Sequence, residues 1–223
     1  MRTKLLHCVA LALLSIGAFQ FGHGVWIDFK AHLAQHLISQ AWQRTLMRQA
    51  PVKPWPWADT WPVARLRWQH GRDGVDLYVL AGINGASLPF GPGMDNHMAD
   101  NGRNKVLLIA GHRDTHCAFL ARVQPGDRLT LTDMHDHRKI YQVTNRKVVD
   151  TRRATLVADT DRPELILVTC YPFDALRAGG PLRFVVTALP TNLVKHHAEK
   201  QPSTGTIQVS YGVLNEQNPP YPL

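Results

Sequence analysis

Cys170 closes the run "ELILVTC", an apolar, β-branched stretch ending on a threonine and a thiol just before "YPF". A thiolate is a strong nucleophile, and strand ends far apart in sequence can converge to build a site around it. Acyl chemistry needs two further functions: a group that takes and returns a proton, and a donor placed where negative charge develops on oxygen. His112, directly after "KVLLIAG", and Arg183, at the head of "RFVV", supply those side-chain types in the same β-like context. Singly, each has a plainer reading. A strand cysteine is commonly a small core hydrophobe, a histidine beside glycine a hydrogen-bonded structural residue, and an arginine by an edge strand a solvated charge. Together, thiol, imidazole and guanidinium point to acyl transfer through a thioester.

A metal site competes for the same histidine. His112 and His116 are four apart with Asp114 and Cys117 beside them, and "HDH" at 135–137 adds two imidazoles. Zinc favours such ligands, which would make the chain a His/Cys metal-binding hydrolase. The segment "GHRDTHC" follows a strand and lacks a helical pattern, so the spacing does not put both histidines on one face. Papain-like proteases place the cysteine before the histidine and on a helix, so that class fits poorly.

The elements that must position these residues read as β. "VARLRW" (63–68), "VDLYVL" (75–80), "KVLLIAG" (105–111), "DRLTLTD", "KIYQVTNRKVV", "ELILVTC" (164–170) and "LRFVVTAL" (182–189) are short runs bounded by turn residues. Such a series with little helix between implies a mainly β barrel or sandwich. Helical pieces are expected over 96–102 and 117–123, and no repeat of solenoid or propeller period is seen.

Ahead of the domain, "MRTK" precedes the nearly uncharged "LLHCVALALLSIGAFQF" (5–21). The sequence predicts an uncleaved signal anchor, because small residues at a cleavage site are poorly placed. Arg2 and Lys4 put the amino terminus in the cytoplasm and the rest outside, by the positive-inside rule. Phe29, Leu33, Leu37, Ile38, Ala41 and Trp42 recur at helical spacing and predict an amphipathic stalk. Pro51, Pro54 and Pro56 then break it, and Trp55, Trp57 and Trp61 either cover the domain's base or form a membrane-interface belt. The net charge of +8 on 223 residues suits an anionic lipid surface. No nucleic-acid motif accompanies it, so no nucleic-acid partner is expected. From Pro190 onward the chain turns polar and is expected to be a mobile tail, carrying an X-Pro-X-Thr-Gly pentapeptide at 201–205. In an oxidising compartment, Cys117 and Cys170 are either one disulfide or two thiols with separate fates.

These residues resemble the sortases, membrane-anchored cysteine transpeptidases built on an eight-stranded β-barrel. Ile166-Leu167-Val168-Thr169-Cys170 is similar to the family's Thr-Leu-X-Thr-Cys, Gly111-His112 to its "GH", and Arg183-Phe184-Val185-Val186 to its arginine-led strand. "KPWPWADTWPVARL", "FGPG", "GHRDTH" and "TCYPFDALRAGGPLRFVV" further resemble the proteobacterial, Gram-negative branch, in which phenylalanine is expected at the position of Cys117. The resemblance implies catalytic His112, Cys170 and Arg183, Thr169 as a substrate contact, and no metal or cofactor. It also implies cleavage of an LPxTG-like signal between Thr and Gly, transfer to an amine acceptor, and a protein substrate such as one with a von Willebrand A-type domain. The implied division is 1–27 cytoplasmic tip and membrane span, 28–61 stalk and linker, 62–190 catalytic domain and 191–223 tail. The catalytic domain would be periplasmic, on a single-pass inner-membrane protein. A non-catalytic adhesion or scaffold module on the same barrel is the competing expectation. Cys117 is expected to stand in the core in place of an aromatic, or, more sharply, to form a reversible bridge with Cys170.

Overall fold

The computed structural model describes residues 2–95, 106–153, 156–158, 163–175, 179–197 and 207–209. The amino-terminal sequence forms one uninterrupted helix, α1 (Arg2–Arg48). Its first half is long and apolar enough to cross a membrane, and none of that window is buried against the rest of the protein. The candidate span and the docked segment therefore share a single helix with no break between them. Ala34, Ile38, Ala41, Trp42 and Thr45 are buried, at the three- and four-residue spacing of one helix face. The buried stripe is rotated from the expected one: Phe29 and Leu33 are exposed and Leu37 half-buried. Alanines in the stripe let the helix approach closely, and burial of Ile38 and Trp42 contributes on the order of 4 kcal/mol or more. That is enough to hold the docked half against thermal motion.

The mainly β reading is correct in its barrel form. The strands are β1 (Pro62–His70), β2 (Asp73–Ala81), β3 (Gly93–Met94), β4 (Val106–Gly111) and β5 (Arg128–Asp133). They continue with β6 (Arg138–Asp150), β7 (Leu156–Ala158), β8 (Glu164–Cys170), β9 (Leu182–Pro190) and β10 (Ile207–Val209). Eight of them close into a barrel in the order β1-β2-β3-β4-β8-β9-β6-β5. Closure leaves no free sheet edge. Strands β4 and β8 run parallel, while β8–β9 and β9–β6 are antiparallel.

Barrel geometry gives each strand an inner and an outer side, and residues alternate between them. The interior is filled from around the whole ring by Leu66, Trp68, Val79, Ile109, Leu129, Tyr141, Leu165, Leu167 and Val186. A second buried cluster, Val106, Leu108, Ile166, Val168 and Val185, belongs to β4, β8 and β9 alone and lies on their outer side. These three strands are thus apolar on both faces, the pattern of strands covered on both sides.

Two features differ from the sequence reading, and a third bears on an alternative that the reading left open. Only Ala118–Ala121 of the expected helix over 117–123 is helical, as one 3-10 turn that sends Phe119 and Leu120 into the barrel. The segment after Pro190 contains α2 (Thr191–His197), and β10 pairs antiparallel with β7. Trp55 packs edge-on against Phe90 at 5.1 Å and Trp61 is half-buried, while Trp57 is 80% exposed. The expected helix over 96–102 and the pentapeptide at 201–205 lie outside the described residues.

Candidate active site

Cys170 is the last residue of β8, and its cross-strand partner on β9 is Arg183. Directly opposed residues of an antiparallel pair share a face with Cβ atoms ~4.5–5.5 Å apart. On the other flank of β8, Gly111 of β4 is the parallel partner of Thr169, so His112 follows at the level of Cys170. The alternation fixes the face. Leu165 and Leu167 point inward and Ile166 and Val168 outward, which turns Thr169 inward and Cys170 outward. The same count places Arg183 with Val185 on the outer side, and Val106, Leu108 and Ala110 lead to His112 on that side. Three adjacent strands therefore bring the chain positions of Cys170, His112 and Arg183 to one end of the barrel, beside a buried apolar cluster.

Local contacts hold each group. The Arg183 Nη1 donates to the carbonyls of Gly180 and Leu182, in the turn entering β9. This orients the guanidinium and leaves its Nε and Nη2 donors without partners among the described residues. The backbone N–H of Tyr171 donates to the Leu182 carbonyl at 3.0 Å, extending the β8–β9 pairing past the thiol. Phe173 and Phe184 pack at 5.3 Å, and Tyr171 stacks on Phe184 at 6.2 Å, giving that end an aromatic support. Thr169, expected to contact substrate, is only 2% exposed. Its hydroxyl donates to the Gly111 carbonyl at 2.7 Å and ties the thiol strand to the histidine strand.

The turn carrying His112 closes on itself, the N–H of Cys117 donating to the His112 carbonyl at 2.9 Å. Cys117 points into the barrel and is 3% exposed. Its thiol is pushed up to about 12 by burial, so it is a neutral core group. Both cysteines are free, and they lie on opposite faces of the β4–β8 pair, which removes the geometry a Cys117–Cys170 bridge would need. The same orientation separates the ligands of the metal reading. Cys117 faces the core, His112 is exposed, and His135 and His137 sit on the β5–β6 turn bonded to Gln49 and Asp133. Among the described residues no three His, Cys, Asp or Glu side chains converge as a metal would require.

Two residues near the site were not singled out as contributors to it by the sequence pattern. Arg113 Nη2 donates to the Ala175 carbonyl at 2.9 Å, bridging the histidine turn to the loop after Cys170. His116 is held below the ordinary imidazole range, chiefly by burial; a hydrogen bond to the Pro89 backbone opposes this, and the nearby His112 adds to it. Their adjacency to His112 in "GHRDTH" was the available signal.

A family model for the sortase domain matches residues 71–191, and the chain belongs to the sortase family. It is similar to Sortase D of Bacillus subtilis (strain 168), 28% identical over 115 residues that cover 50% of this chain and 56% of that protein. The chain thus spans a little over half of that relative's length. Among solved structures, Sortase A from Corynebacterium diphtheriae is 22% identical with a TM-score of 0.48, covering 64% of this chain and 63% of that one. A Clostridium perfringens Sortase D5 transpeptidase is 23% identical with a TM-score of 0.47, covering 58% of this chain and 79% of that one.

Proposed function

We propose that the protein is a membrane-anchored cysteine transpeptidase of the proteobacterial sortase branch, with Cys170 as nucleophile. The observation that carries this reading is the cross-strand pairing of Cys170 with Arg183, with His112 on the neighbouring strand. The Cys170 sulfur attacks the carbonyl carbon of the Thr–Gly bond in an LPxTG-like signal. The negative charge that forms on the oxygen is met by the Nε and Nη2 donors of Arg183. His112 gives a proton to the departing glycine nitrogen, the C–N bond breaks, and a thioacyl enzyme remains. An incoming amine then attacks the thioester, His112 takes its proton, and the C–S bond breaks to release the transferred product. Thr169 serves this chemistry by holding β8 against β4, which keeps nucleophile and base in register.

The organisation that goes with this reading is a cytoplasmic tip and span over 1–27, a stalk and linker over 28–61, the catalytic domain over 62–190 and a tail over 191–223. The catalytic domain faces the periplasm and the substrate is a surface protein, one with a von Willebrand A-type domain being the expected kind. The test is turnover of a labelled LPxTG-type peptide with an amine acceptor, with intact-mass detection of the acyl adduct. Cys170→Ala and His112→Ala abolish turnover, and Arg183→Ala lowers it about a hundredfold or more. Arg183→Lys does not rescue, because a point charge lacks the guanidinium fork. Near-normal turnover by Cys170→Ala overturns the reading.

A further inference from the structure

The docked half of α1 touches the barrel at a place that leads to the histidine turn. Gln35 Nε2 donates to the carbonyl of Phe90 at 2.7 Å, and Ser39 Oγ lies 3.0 Å from the Tyr78 hydroxyl. Phe90 belongs to the loop between β2 and β3, whose neighbouring residue Pro89 is hydrogen-bonded through its backbone to His116. Two residues further on, Pro92 packs beside the α-carbon of Gly111, where an added Cβ would meet its Cα and Cβ at 3.4 Å. Pro92 is itself pinned, its carbonyl accepting from the Leu80 N–H at 2.8 Å. A continuous line therefore runs from the anchor helix through 89–92 to both ends of the turn that bears His112.

We propose that α1 is a support of the active site, acting through the 89–92 loop, as well as a tether, and that His116 is the positioning residue through which the helix sets His112. The proposal rests on the reading of His112 as the proton-transfer group. The physical argument is one of rigidity. The histidine turn is a short irregular segment, closed by the backbone bonds from Cys117 to His112 and from Ala118 to Thr115 and tied to the loop after Cys170 by Arg113. The 89–92 loop supplies its outer buttress, and that loop is gripped from the far side by Gln35 and by the ring of Trp55 at 5.1 Å. Misplacing a catalytic group by about 1 Å can cost around a hundredfold in rate, so a buttress of this kind has a measurable effect.

The experiment uses the full chain in detergent micelles and two readouts, turnover of the LPxTG-type peptide and the rate of Cys170 alkylation by iodoacetamide, followed by peptide mapping. Alkylation needs no substrate and reports how well an imidazolium is held beside the sulfur. His116→Phe is expected to lower kcat about tenfold with KM within about twofold, and to slow alkylation about threefold or more. His116→Gln keeps a donor for the Pro89 carbonyl and restores most of both. Gln35→Ala combined with Ser39→Ala, both away from the site and from the core, lowers kcat about threefold. If the helix double variant keeps kcat and alkylation rate at wild-type values, α1 is only a tether and the proposal falls. Equal losses in His116→Gln and His116→Phe overturn it as well, since the bond to the loop would then not matter. A wild-type protein that alkylates at Cys170 but cleaves no peptide overturns the transpeptidase reading, and the alkylation rates of the variants still decide this one.

Discussion

Gly111 offers the sharpest test of how tightly the histidine turn is built. A Cβ at this position would lie 2.5 Å from the Cys117 sulfur, against an ordinary carbon–sulfur separation of ~3.5–4.0 Å. Gly111→Ala must therefore open the contact by about 1 Å, and overpacking of this kind costs ~1–3 kcal/mol. Gly111 does not sit at a positive φ, so alanine meets no backbone strain, and the loss of unfolded-state entropy returns ~0.4–1 kcal/mol. The single variant is then destabilised by a net ~0–2.6 kcal/mol. In a Cys117→Ala background the sulfur is gone and the steric cost with it, so the same Gly111→Ala step becomes stabilising by ~0.4–1 kcal/mol. The change of sign is what thermal melting of the four proteins should show, at about 2–4 °C per kcal/mol for a domain of this size. Turnover adds a second reading, because the displaced residue is covalently next to His112: Gly111→Ala slows it and Cys117→Ala restores it. The same effect of Gly111→Ala in both backgrounds would refute the packing argument.

Cys117, its thiol pushed up to about 12 by burial, should resist iodoacetamide at neutral pH while Cys170 reacts, and oxidised protein should show both thiols free of one another on non-reducing peptide mapping. A Cys117–Cys170 peptide in that map would contradict the opposite-face placement. His116 gives stability a pH dependence of known sign. Its native value lies below 6.5, so in acid the unfolded chain takes up the proton first. The stability it confers is whole above 6.5 and is lost as pH falls through the lowered native value, and His116→Gln should flatten that slope between about pH 5 and 7 in denaturant titrations.

The strands were legible in the sequence because they carry period-two or short apolar runs bounded by turns, and "DRLTLTD" and "KIYQVTNRKVV" match β5 and β6 almost to the residue; that pattern left barrel and sandwich open, and the family resemblance chose the barrel. What was not legible has local causes. β3 is two residues long and contains a glycine that is required because a Cβ there would collide with the Gly82 carbonyl, so no strand propensity marks it. β7 and β10 are three residues each and are defined by pairing with one another rather than by pattern. Of the stalk stripe read from the sequence, Ile38, Ala41 and Trp42 are buried, while Phe29 and Leu33 are exposed; the docked face adds Ala34 and Thr45, small residues that a hydropathy reading passes over.

The candidate site shows the same division more sharply. Residue types and strand contexts pointed to His112, Cys170 and Arg183, yet nothing in "ELILVTC" tells which way its thiol points. Both faces of β8 are apolar, so the alternation that would reveal an outside is absent. Only the tertiary pairing resolves it: Leu165 and Leu167 join residues from the whole ring, Ile166 and Val168 join β4 and β9 alone, and the count carries Thr169 inward and Cys170 outward. That parity has two consequences at once. It sets the thiol on the face shared with Arg183 and His112, and it places the threonine hydroxyl where it can bond Gly111 and hold the histidine strand beside it. A slip of one residue in the β8 register would bury the thiol beside Cys117 and expose the threonine, exchanging an outward thiol for a core sulfur. The Thr-Cys order at the end of this strand is thus a statement about faces, and the extended pairing through Tyr171 and Leu182 is what keeps it from slipping.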